Sequence, residues 1–254
     1  MKRVIFFSLF ILVASLTYAQ RGQVKSKSGT FYFALGSHVA GYTRSDVYLK
    51  SNNSDFDFVL ENVKGTDDKF LKSTGGAMQY DYKFGYYFNK KNFGIEYNFD
   101  HVKYFARHGQ LVKTVGTVQG KKIDAIIPID SLVQNFEHSN GGNYITLNFV
   151  KWKDLAMSKD HKRVLNLLYK AGAGVVLPKT NSTGMNKQRD DTYNVAGYVF
   201  ALEGGVRYNF LKNVYVESSL KGAFANYSHI LIADGTGHQH WFSGQFLVMA
   251  GFQF

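Results

Sequence analysis

The sequence predicts an all-β chain, an antiparallel up-and-down transmembrane β-barrel of eight strands with long loops at one end. Three observations lead there. Eight segments alternate apolar and polar residues with the two-residue period of a strand. The connections between them alternate short and long. Past the N-terminus, no stretch offers the ~18 unbroken apolar residues of a spanning helix. A closed barrel is the remaining way to satisfy backbone polar groups in hydrocarbon.

The first segment is 30–42, with Phe31, Phe33, Leu35 and Val39 on one face. In the second, 76–88, Met78, Tyr80, Tyr82, Phe84, Tyr86 and Phe88 alternate with Gln79, Asp81, Lys83 and Gly85. The polar turn 89–92 leads to the third, where Phe93, Ile95, Tyr97 and Phe99 oppose Gly94, Glu96, Asn98 and Asp100. The fourth, 143–153, sets Ile145, Leu147 and Phe149 against Tyr144, Thr146 and Asn148. The fifth, 162–177, sets Leu165, Leu167, Tyr169, Ala171, Ala173 and Val175 against Asn166, Lys170, Gly172 and Gly174.

The sixth is 193–210, with Leu202, Val206, Tyr208 and Phe210 opposite Glu203, Gly205 and Arg207. In the seventh, from 214, Val214, Val216, Leu220 and Phe224 oppose Tyr215, Glu217 and Lys221. The eighth, 240–254, carries Phe242, Gly244, Phe246, Val248, Ala250, Phe252 and Phe254 against Ser243, Gln245, Gly251 and Gln253.

Turns at 89–92, 154–161 and 211–213 are short; connections 43–75, 106–142, 178–192 and 228–239 are longer. An up-and-down barrel with tight turns at one rim and long loops at the other has this rhythm, and an even strand count leaves both termini at the turn side. Within the loops, Phe56-Asp57-Phe58-Val59-Leu60-Glu61 alternates, and 113–122 reads as a Thr/Val hairpin with Gly116 and Gly120. Both are expected to extend the sheet above the membrane.

A soluble lipocalin-like barrel alternates too, with its apolar face inward. The charged face favours the membrane form. Asp81, Lys83, Glu96, Asp100, Lys170, Glu203, Arg207, Glu217 and Lys221 suit a narrow polar lumen where opposite charges pair. Aromatic residues make up 16% of the chain, with 25 Gly and only 2 Pro. There is no Cys, which removes disulfides, thiolate metal sites and lipid acylation. Net charge is +11, but the basic residues are scattered and no nucleic-acid motif appears, so no nucleic-acid partner is expected.

Lys2 and Arg3 precede the apolar run 4–16, and Thr17-Tyr18-Ala19 offers small residues for cleavage. Residues 1–19 therefore read as a secretory signal peptide, with 20–254 as one barrel domain. The last strand, ending on the outward Phe254, resembles the terminal strand of bacterial outer-membrane β-barrels, where that end is an assembly signal. With the signal peptide and eight strands, nearly the whole mature chain resembles the small outer-membrane β-barrel superfamily. That resemblance implies a Gram-negative outer-membrane address. It also implies outer-membrane lipid and lipopolysaccharide as surroundings, and the barrel-assembly machinery as a partner through Phe254. Phe56-Asp57-Phe58, Asp100-His101-Val102-Lys103-Tyr104 and Phe136-Glu137-His138-Ser139-Asn140-Gly141 also resemble segments of an uncharacterised barrel family.

One segment points toward chemistry. Phe136-Glu137-His138-Ser139-Asn140-Gly141-Gly142-Asn143-Tyr144 is similar to the His-x-Ser-Asn segment of outer-membrane lipid A deacylases. That similarity implies a serine nucleophile, activated by histidine and oriented by an acid, cleaving an acyl ester. Serine needs a base within ~3 Å. Here His138 and Ser139 are adjacent rather than two apart, so on a strand they point to opposite faces. Asp100 and His101, at the top of the third strand, could complete a composite site with Glu137, His138 and Ser139. His238-Gln239-His240 places two imidazoles on one face, short of a ligand set, and Trp241 is expected in the interfacial aromatic belt. Gly172-Ala173-Gly174 followed by Pro178-Lys179-Thr180 lacks the core of a phosphate loop and reads as small residues making room for neighbours.

No cofactor or resident metal is expected. The leading expectation is a structural or surface-ligand-binding barrel acting through loops 43–75 and 106–142. The alternatives are a lipid A or phospholipid acyl-ester hydrolase at the rim, and a narrow solute channel.

Overall fold

The computed structural model describes residues 29–53, 55–67, 79–158, 163–185, 187–190 and 192–254. The signal peptide, the end of the first expected loop at 68–75, the start of the second expected strand at 76–78, the end of the 154–161 turn and residue 162 of the fifth expected strand lie outside the described residues. In chain order the first strands are β1 (Thr30–Tyr42), β2 (Ser45–Ser51), β3 (Phe56–Val63), β4 (Gly65–Thr66), β5 (Asp81–Phe88) and β6 (Phe93–Asp100). Next come β7 (Phe105–Ala106), β8 (Leu111–Val118), β9 (Lys121–Pro128), β10 (Val133–Glu137), β11 (Gly142–Met157) and β12 (Arg163–Pro178). The chain finishes with β13 (Asn181–Gly184), β14 (Lys187–Arg189), β15 (Gly197–Asn209), β16 (Val214–Ile232) and β17 (Gly235–Gln253).

Eight of these close a ring in the order β1, β5, β6, β11, β12, β15, β16, β17 and back to β1. Every pairing in the ring is antiparallel, and each joins strands that follow one another around an up-and-down barrel. The seam pairs Phe33 with Phe252 and is finished by two 2.9 Å hydrogen bonds between the backbones of Phe31 and Phe254.

Polarity along the wall is inverted relative to a soluble protein. Leu147, Phe149, Leu202 and Leu220 point outward and are 62–69% exposed, while Lys83, Glu96, Lys170, Arg207 and Glu217 point inward and are buried. A lipocalin-like barrel would show the opposite arrangement, so this wall is built to face hydrocarbon.

The lumen is filled by its own side chains. Four cations, Lys83, Lys170, Arg207 and Lys221, are interleaved with five carboxylates, Asp81, Glu96, Asp100, Glu203 and Glu217. Lys83 reaches Glu203 at 2.6 Å and Glu217 at 3.1 Å; Lys170 reaches Glu217 at 2.8 Å and Glu96 at 3.1 Å. Lys221 binds Asp100 at 2.8 Å, and His38 Nδ1 lies 2.8 Å from Asp81. Below this layer, toward the turns, the Arg207 guanidinium sits over Tyr215, Trp152 and Tyr32 at 3.9, 4.4 and 4.7 Å. Two lumen-facing glycines make room for that layer. A Cβ at Gly85 would fall 2.4 Å from the Tyr32 ring, and one at Gly251 would fall 2.2 Å from the Tyr215 ring.

The loops fold into a cap of two sheets. β17 runs past the barrel and pairs β2, from Gly235 with Ser51 to Gln239 with Val47. β3, β8 and β9 then continue the same sheet. The second sheet has the order β14, β13, β10, β7, β4. Between them lie Leu49, Phe56, Phe58, Leu60, Val133 and Phe136, in one apolar cluster with residues from the top of the barrel. The expected Thr/Val hairpin is present as β8–β9. Its two-residue turn, Gln119 and Gly120, has positive φ at both positions (49° and 72°), the twist that matches flanking strands.

Two expectations need correction. Residues 228–239 do not form a long loop: β16 and β17 continue to a tight turn at 233–234. A register shift between Tyr227 and Ile230 breaks the alternation there, and Ile230 and Ile232 are buried in the cap instead of facing lipid. Trp241 is not in an interfacial belt. It shares the inward face of β17 with Ser243 and Gln245 and is 1% exposed.

Candidate functional site

The five residues singled out from the sequence lie near one another but form four separate groups, of which only Glu137 and Ser139 share one. Asp100 ends β6 facing the lumen, where both oxygens accept from Lys221 Nζ at 2.8–2.9 Å. His101 turns the other way around the rim; its Nδ1 is 2.8 Å from Asn143 Oδ1, and its ring stacks on Tyr80. Glu137, at the end of β10, accepts from Ser139 Oγ and from Asn181 Nδ2, each at 2.9 Å. This pair fastens the 138–141 turn to β13.

His138 points away from Ser139 and into the protein. Its backbone N–H donates to Tyr104 O at 2.8 Å, and its Nδ1 lies 3.0 Å from Thr180 Oγ1. The ring is wholly buried and stacks on Tyr227, with centroids 5.1 Å apart and planes 5° off parallel. Both residues lie in the turn between β10 and β11, not on a strand, and their side chains nonetheless face opposite ways. Ser139 gives its hydroxyl to a carboxylate, so the serine–histidine contact an acyl transfer needs is not made.

What surrounds His138 is an aromatic seal across the loop end of the lumen. Trp241 stacks on Tyr104 at 4.6 Å and leans on Tyr227 at 4.5 Å, and its Nε1 donates to Tyr144 OH at 2.9 Å. Tyr227 OH donates to Gly142 O at 2.6 Å, Tyr42 OH to Lys103 O at 2.5 Å, and Gln239 Nε2 to Tyr104 OH at 2.8 Å. These bonds tie β1, β11, β16, β17 and the 101–104 segment into one layer on which the cap sits. Sequence reasoning passed over this cluster. The signal was available: Tyr144, Tyr227 and Trp241 all fall on the polar face of their strands.

Burial pushes the His138 pKa down from 6.5 to about 3, because loss of solvation outweighs the one contact that favours a charged ring, with Gln239. Between about pH 6.5 and about 3 the unfolded cap takes up a proton at His138 and the folded cap does not. Stability is therefore expected to fall as pH falls through that window and to be unaffected by this group above it. Unfolding of the cap followed across pH 3–8, with His138→Gln as the comparison, checks this. A slope in that window equal in the two proteins would contradict it.

His238 and His240 occupy the outer face of β17. His238 stacks on Tyr48 at 4.6 Å and His240 lies 6.1 Å from Phe224. Gly172 and Gly174 lie within β12, where a Cβ would fall 1.9 Å from Asn148 Oδ1 and 1.8 Å from Ile145 O, so they make room for β11.

The cap ends in an open sheet edge. Among the described residues β9 has a neighbour only in β8, and its side chains are exposed over most of its length. Leu111 and Ile126 on this hairpin are 67% and 69% exposed. Fold and seal together define a class: a membrane-spanning β-barrel with a self-filled lumen and a folded cap.

No family model matches the chain, and no curated protein does. Among solved structures the chain is similar to Neisserial surface protein A, at 8% identity over 88% of this chain and 97% of that one, with a TM-score of 0.40. It is also similar to the outer membrane protein OprG of Pseudomonas aeruginosa, at 13% identity over 92% and 98%, TM-score 0.46. The attachment invasion locus protein Ail of Yersinia pestis matches at 13% identity over 89% and 99%, TM-score 0.37. No residue role is carried over from these proteins.

Proposed function

We propose that this chain is a bacterial outer-membrane barrel whose working part is the cap, a rigid platform that binds a ligand outside the cell. The observation that carries this reading is the apolar core between the two cap sheets, continuous with the aromatic seal. Loops that only join strands do not need Phe56, Phe58, Leu60 and Phe136 buried at 6% exposure or less. The lumen is occupied by paired charges and closed by aromatic layers, which supports binding over conduction. Ser139, held by Glu137, gives the hydrolase reading no support.

The β8–β9 hairpin is the part of the cap best placed to meet a partner. An open strand edge offers unpaired N–H and C=O groups for strand addition, and Leu111 and Ile126 add apolar area beside it. Replacing residues 111–128 by a short Gly/Ser turn should leave the barrel assembled, as judged by heat-modifiable gel mobility. Cells displaying the two forms are compared against a panel of extracellular proteins and polysaccharides. Binding seen with the whole protein should be lost with the hairpin removed. Equal binding by both forms would contradict this assignment.

A further inference from the structure

The outer wall carries a recess of about 630 Å³ where β6, β11, β12 and β15 run side by side. Its lining includes Phe93, Phe149, Tyr169, Ala171, Leu202 and Gly204. The registers show how these residues adjoin. Phe149 pairs Ala171, Ala171 pairs Leu202, and Tyr169 pairs Gly204, so two small residues are set among large ones. Gly204 is not small for the sake of this chain. It has no positive φ, and a Cβ built there meets no atom within 4 Å. Glycine weakens a strand and commonly marks the close approach of something else.

Charge supplies the second, independent observation. Lys151 lines the same recess on its turn side, opposite Tyr169. Lys153 is the next outward residue on β11, and both are exposed. Lys90 and Lys91, in the turn before β6, are exposed as well. The carboxylate nearest in sequence, Asp154, is held by Arg163 at 3.1 Å. Neither Lys151 nor Lys153 has a carboxylate partner among the described residues. An apolar slot facing hydrocarbon, ending at the turn-side rim in ammonium groups with no carboxylate partner among the described residues, has the layout of one amphiphile: tail along the wall, phosphate at the edge.

We propose that this recess seats one anionic phospholipid of the turn-side leaflet. An acyl chain lies over Ala171 and Gly204, between Phe149 and Leu202, and the phosphate is held by Lys151 and Lys153. A slender flexible chain suits a slot whose floor is two residues wide. The convex wall of a second barrel would bridge it. The inference needs only a membrane-spanning wall and does not depend on what the cap binds.

Native mass spectrometry of the full-length protein, purified in detergent with equal phosphatidylglycerol and phosphatidylcholine, tests it. The wild type should retain one phosphatidylglycerol in roughly tenfold preference, in line with the contribution of basic residues near a lipid surface. Lys151→Gln with Lys153→Gln should bring retention of the two lipids to parity. Gly204→Leu, which enters open space and should leave folding intact, should expel the lipid whatever its headgroup. A preference unchanged by the lysine substitutions would overturn the proposal. So would occupancy unchanged in Gly204→Leu, or a dimer that Gly204→Leu abolishes and the lysine substitutions do not affect. Gel mobility of each variant separates failure to fold from failure to bind.

Discussion

Glu217→Gln is expected to destabilise the barrel by about 3–5 kcal/mol, the cost of breaking a buried ion network from one side. Glu217 is the hub of the lumen. Its Oε1 accepts from Lys170 at 2.8 Å and Lys83 at 3.1 Å, and its Oε2 accepts from Arg207 at 2.8 and 3.1 Å. Glutamine keeps the volume and one acceptor but removes the charge. Three cations would then face one another with only Glu96 and Glu203 close by, in an interior that water cannot easily screen. Urea unfolding in phospholipid vesicles, read by gel mobility, measures the effect. A loss below about 1 kcal/mol would mean that water penetrates the lumen and screens the network as it does at a surface.

Trp241→Ala should cost a similar ~3–5 kcal/mol, the usual range for removing a large buried aromatic ring. The effect should fall on the cap and not on the barrel. Trp241 packs on Tyr104, Tyr227 and Tyr42, and its indole N–H satisfies Tyr144. Without it the cap loses the layer that couples it to the wall, while the charge network and the turn-side aromatic layer remain. Cap cleavage by protease added to intact cells should accelerate, with barrel mobility on gels unchanged. Trp241→Phe, keeping a ring and losing the donor, should fall between wild type and alanine. Loss of both cap and barrel together would show that the two fold as a single unit and would contradict this division.

The wall of the barrel was legible in the sequence because its physics is local. A strand places alternate residues on opposite faces, so Phe149 outward and Asn148 inward follow from neighbours in the chain. Lys83, Lys170 and Glu217 were legible as lumen residues by the same parity. Their pairings were not, since Lys83 and Glu217 meet across the barrel from strands far apart in sequence. The cap was only partly legible. Phe56 to Glu61 and the hairpin at 113–122 alternate, but β4, β7, β13 and β14 are two to four residues long and exist only through partners elsewhere. The register shift after Tyr227 hid the long β16–β17 hairpin, and Trp241 was placed by its residue type when its parity already put it inside.

The candidate site shows the same boundary. Sequence similarity drew attention to Glu137, His138 and Ser139; the two neighbouring side chains do point apart, but from a turn and not from the strand their spacing suggested. What His138 meets could not be read from the segment, because Thr180, Tyr227 and Trp241 come from three other stretches of chain.

Hydrogen–deuterium exchange of the folded protein in lipid nanodiscs distinguishes a packed cap over a sealed barrel from loops that only join strands. Amides of β3 and β10 are expected to be protected for hours, with those of the β9 edge exchanging far sooner. Exchange of β3 and β10 within seconds, as fast as in an unfolded loop, would contradict the packed cap.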